Sequence, residues 1–149
     1  MGQWIFLLMA VAAGSCLPLQ AGINTGLAKG LGHPISAAFV SFLAGTTILF
    51  AFVLVARLPL PALGRLPVLP WWTWIGGGFL GAYFVSATII AAPRLGATVL
   101  VVTIIAGQVL VALMLDHKGW LGFEQRPISP GRIAGLACLV AGVYLTRRF

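Results

Sequence analysis

A chain of 149 residues that is 60% hydrophobic and 7% charged has too few polar side chains to cover a soluble domain, so it reads as an all-α integral membrane protein. Nine Lys and Arg against two acids give a formal charge of +7, but the cations fall between apolar runs, which points to membrane lipid phosphates and not to nucleic acid. Cys16 and Cys138 lie inside apolar runs without metal-ligand spacing, so no disulfide, metal or cofactor is expected.

A helix needs about 20 apolar residues to cross a hydrocarbon core of about 30 Å, and five runs are read as spans. The first covers about residues 4–24, with Trp4 as an interfacial anchor. Residues 1–8 carry no Lys or Arg, so the basic start of a cleaved signal is missing and the segment is expected to stay in the mature protein. Pro18 has no N–H to give the carbonyl of Gly14, and Gly14-Ser15 just upstream makes bending easier. Gln20 and Asn24 are four residues apart, which stacks both amides on one helix face. An amide in hydrocarbon strongly favours a protein partner, a water or a polar solute over lipid. Two readings stand: the amides glue this helix to a neighbour, or they line a cavity, as kinked polar helices tend to do.

Lys29 and His33 are expected in the short connection that follows, and Pro34 suits the first turn of the second span, about 35–56. Arg57 then opens a link containing Pro59, Pro61, Pro67 and Pro70, which cannot be helical throughout. Trp71, Trp72 and Trp74 form an aromatic belt at the start of the third span, about 71–91, and a turn at Pro93-Arg94-Leu95-Gly96 forces the next helix antiparallel. The fourth span, about 97–115, carries Gln108 near its middle. A polar loop with Asp116, His117, Lys118, Glu124 and Arg126 leads to Ser129-Pro130, a cap and first-turn pair for the fifth span, about 131–146.

Ser15, Tyr83 and Ser86 join Gln20, Asn24 and Gln108 as candidate solute-binding residues, although Tyr83 serves equally well by bonding a backbone carbonyl. Small residues at four-residue spacing, Ala37/Ser41/Gly45, Gly77/Gly81 and Gly131/Gly135, are read as close helix packing. Asp116 is placed to pair with Lys118 or Arg132, or to meet helix-end donors of a partner. His33 and His117 are interfacial, as solvated side chains or as a pH gate.

With five spans, Arg57, Arg65, Lys118, Arg126 and Arg132 fall on one side of the membrane, and Lys29, Arg94, Arg147 and Arg148 on the other. Lys/Arg bias normally fixes orientation, and here it nearly vanishes. The chain is therefore expected to insert both ways up and to form an antiparallel homodimer, or to pair with a homologous chain, so that ten helices reproduce an inverted-repeat architecture.

These residues resemble the YdcZ-like family of small bacterial inner-membrane proteins, within the drug/metabolite transporter superfamily. The likeness rests on Pro18-Leu19-Gln20 followed by Asn24, on Ser41-Phe42-Leu43-Ala44-Gly45-Thr46, and on Pro93-Arg94-Leu95-Gly96-Ala97. It continues through Gly107-Gln108, Asp116-His117, and Pro127-Ile128-Ser129-Pro130-Gly131-Arg132 leading into Gly135. The resemblance implies five helices per chain, a ten-helix assembly with inverted halves, transport of a poorly defined substrate, and no catalytic residues. Small multidrug exporters of that superfamily place a carboxylate in the first helix, and this chain has none there.

The expected function is secondary-type transport of a small polar metabolite or drug across the bacterial inner membrane, by alternating access in the dimer. Neutral amides favour a polar neutral or zwitterionic solute over a bare organic cation. The alternative is a non-transporting subunit that scaffolds a larger membrane complex. No serine, histidine and acid constellation lies at a common depth, so an enzyme is not expected.

Overall fold

The computed structural model describes residues 2–59 and 69–149, and Pro61, Arg65 and Pro67 of the link lie outside them. It is all-helical, with α1 (Gln3–Leu31), α2 (Pro34–Val55), α3 (Trp71–Lys118) and α4 (Pro130–Arg148), and a 3₁₀ turn at Trp120–Gly122. α1, α2 and α3 are each long and apolar enough to cross a membrane.

Pro18 sits inside α1 without ending it, and the helix runs past Asn24 to Leu31. Lys29, expected in the connection, instead occupies the last turn, where an ammonium complements the unpaired carbonyls of the helix end. The connection shrinks to Gly32 and His33. His33 caps α2, its Nδ1 accepting from the Ile35 N–H at 3.2 Å, and Pro34 takes the first helical position, where a missing N–H costs nothing. At the other end of α2 the N–H of Leu58 donates to the Val53 carbonyl at 3.0 Å and that of Arg57 to Leu54 at 3.2 Å. This closure puts Arg57 at φ 51, a left-handed conformation that side chains adopt at a cost.

α3 is 48 residues long, about 72 Å at 1.5 Å per residue and more than twice the hydrocarbon thickness. Its helical run is broken at Gly96, where φ 73 and ψ 165 fall in a region essentially reserved for glycine. The expected four-residue turn is thus a one-residue interruption: Pro93 to Leu95 remain helical, and Gly96 separates an arm 71–95 from an arm 97–118.

The chain divides into two compact units, Met1–Pro93 and Arg94–Phe149. In the first, α1 packs on α2. Its core is Ala37, Ala38, Val85 and Ile89, with Leu27, Ala28 and Phe84 against them, so α1, α2 and the first arm of α3 all contribute. The small-residue spacing packs in part: Ala37 is fully buried and a Cβ on Gly81 would come within 3.2 Å of the Phe42 ring, whereas Gly45, Gly77, Gly131 and Gly135 face open space. Most large apolar side chains, among them Leu8, Phe39, Leu49 and Phe79, point outward. That is the reverse of a soluble fold and suits surroundings of hydrocarbon.

The second unit sets the arm 97–118 against α4. Val102 and Ile105 face Gly135, Cys138 and Gly142 across a groove of about 350 Å³. Ser129 caps α4, accepting from the Arg132 N–H at 3.4 Å, with Pro130 in the first turn. Between Arg132 and Arg147 the apolar stretch covers only residues 133–146, about 21 Å of helix. α4 is accordingly the least membrane-like of the helices.

Candidate functional site

Helical spacing brings Ala21 and Asn24 onto the packed face of α1, and both are buried. Asn24 retains 4% of its surface, and its amide nitrogen Nδ2 has no hydrogen-bond partner among the described residues. Leaving such a donor unmet costs about 1–3 kcal/mol, and native interiors rarely do so without a reason. Gln20, one turn earlier, is exposed, so the two amides straddle the edge of the packed face and do not share one environment.

The remaining candidates separate by burial and by what their polar atoms already do. Ser15 is exposed and donates its hydroxyl to the Val11 carbonyl at 2.9 Å, bonding within its own helix. Tyr83 is 70% exposed on the outside of the first arm of α3, while Ser86 on the same arm is half-buried. Gln108 is exposed and lies on the second arm, in the other unit.

Thr88 was not among the sequence candidates, yet it and Asn24 are the buried polar side chains of the described residues. Its hydroxyl donates to the Val85 carbonyl at 2.8 Å, which leaves its lone pairs as acceptors. The sequence does hold a signal for it: Thr88 falls three residues after Val85 and one before Ile89, on the stripe that builds the core.

Polar chemistry in the second unit is of another kind. Arg132 Nη1 donates to Asp116 Oδ2 at 3.2 Å, with both side chains 32% exposed, and also reaches the Arg126 carbonyl at 3.4 Å. Of the partners considered for Asp116, Arg132 is the one it holds. The Arg126 N–H donates to the Asp116 carbonyl at 2.7 Å and the Gln125 side chain to the His117 carbonyl at 3.1 Å. His117 Nδ1 accepts from the Ile128 N–H at 3.4 Å. Gly119 permits the tight reversal at φ 66, where a Cβ would lie 3.3 Å from that of Gln125. Glu124 takes Arg126 Nη2 at 2.8 Å, and that hydrogen bond, then the charge, raises the pKa of an arginine already protonated. The loop between the arm and α4 is therefore pinned back on the helix end by its own polar groups.

A family model described as "Putative inner membrane exporter, YdcZ" matches residues 5–145. The Escherichia coli (strain K12) protein named inner membrane protein YdcZ is 30% identical over 149 residues, covering 99% of this chain and 98% of its own length. No solved structure matches the chain.

Proposed function

We infer that this chain, which belongs to the YdcZ family of inner-membrane proteins, transports a small polar solute across the bacterial inner membrane. The observation that carries the reading is Asn24: a buried amide with an unmet donor in a helix apolar enough to span the bilayer. A passing solute supplies the missing acceptor, and its departure restores the unpaired state. Ser86, half-buried on the first arm of α3, adds a further hydrogen-bonding group, while Tyr83 faces outward.

Gln20 and Gln108 support a second chain in the working unit. Each exposes an amide where the surroundings are hydrocarbon, a costly arrangement unless another protein surface covers it. We read α1, α2, the two arms of α3 and α4 as five crossings. The balanced Lys/Arg distribution then favours an antiparallel homodimer, ten helices with inverted halves that expose the site to each side in turn.

Flux of polar solutes into liposomes holding the purified protein tests the reading. Asn24→Ala is expected to cut flux at least tenfold while helical content and elution volume stay unchanged. Unaltered flux removes Asn24 from the site. Well-folded protein with no flux of any polar solute favours the scaffolding alternative. A topology reporter at Phe149 is expected to be active on both sides of the membrane, and activity on one side alone defeats the homodimer.

A further inference from the structure

Both side-chain carboxylates of the chain are already engaged, Asp116 by Arg132 and Glu124 by Arg126. Neither lies in the unit that contains Asn24, since no Asp or Glu occurs before Asp116. The cations are in the opposite condition. In the unit that contains Asn24, Lys29 and Arg57 have no carboxylate partner among the described residues. The unit Met1–Pro93 thus offers a solute positive charge and an unmet N–H donor at Asn24, and its sequence contains no Asp or Glu.

We propose that the transported solute is recognised through a carboxylate, whose oxygen accepts from Asn24 Nδ2. The proposal rests on the transport reading and assigns the chemical class of its substrate. An ammonium presents donors only, so it cannot meet a donor and finds no counter-charge in the unit Met1–Pro93. A carbonyl oxygen meets the Asn24 donor, and a carboxylate oxygen meets it more strongly because the bond is charge-assisted. Lys29 and Arg57, in the same unit as Asn24, add a field of the right sign, raising the local concentration of anions and lowering that of cations.

Three four-carbon probes of matched size separate the classes: succinate, its neutral diamide succinamide, and 1,4-diaminobutane. In liposomes holding the wild-type chain, succinate is expected to move at least tenfold faster than the diamine, with the diamide between them. Asn24→Leu is expected to lose the succinate flux while melting no lower than the wild type. Diamine flux equal to or above that of succinate overturns the substrate class and leaves transport standing, as does succinate flux that survives Asn24→Leu. No flux of any of the three in folded protein overturns the substrate class, and no flux of any other polar solute either overturns transport with it.

Discussion

In the unit Met1–Pro93 a neutral amide is buried and left without a partner, whereas in Arg94–Phe149 both side-chain carboxylates are held by arginines in and around the loop between α3 and α4. The contrast separates two uses of polar chemistry in an oily chain. Groups that satisfy one another, such as Asp116 with Arg132, fix a loop and are spent. A group that the fold buries but does not satisfy is kept for something the chain does not contain.

The strongest way to break this contrast is to make the first unit as self-satisfied as the second. Asn24→Leu keeps the shape and removes the unmet donor, so it should raise stability by about 1–3 kcal/mol while reducing transport at least tenfold. Melting in detergent beside a flux assay checks both halves, and a variant that is less stable and still active would erase the contrast. Next in size is Gly96→Ala, which forces a side chain into a glycine-only conformation between the arms of α3 and should cost about 1–3 kcal/mol of thermal stability.

Asp116→Asn tests the self-satisfied side. It removes a partly exposed ion pair, so a loss of about 1 kcal/mol is expected, with faster hydrogen exchange in residues 119–129 and little change in flux. A collapse of flux instead would assign Asp116 a part in transport. The smallest effect is expected of Gln20→Ala, within about 0.5 kcal/mol for the isolated chain because the side chain makes no buried contact. Its effect on dimer mass in mild detergent shows whether that amide serves a partner.

Much of the fold is legible in the residues themselves, because hydrocarbon forces apolar helices and leaves few alternatives. The Ser129-Pro130 start of α4 and the break near Gly96 follow from local chemistry that no neighbour changes. Lys29 is misplaced by sequence because a charged residue reads as the end of an apolar run, while the helix has no reason to stop before Gly32. The role of His33 as a cap escapes for a similar reason: imidazole is seldom considered an acceptor for a helix start.

The site is less legible than the fold. Spacing places Gln20 and Asn24 on one face, but only packing decides that Asn24 is covered and Gln20 is not. Thr88 passes unnoticed because a threonine in a membrane helix usually bonds its own backbone, and it does so here as well. Its burial, not its bonding, is what singles it out.

An interior donor left unspent means that the empty protein sits above its own energetic floor, and the cognate solute lowers it. Occupancy should therefore show as a rise in melting temperature, with saturation at a hundredfold excess over Kd adding about 2.7 kcal/mol. A library of candidate compounds can be ranked by that rise alone, before any vesicle is loaded, which turns one unmatched nitrogen in α1 into a route to the ligand's identity.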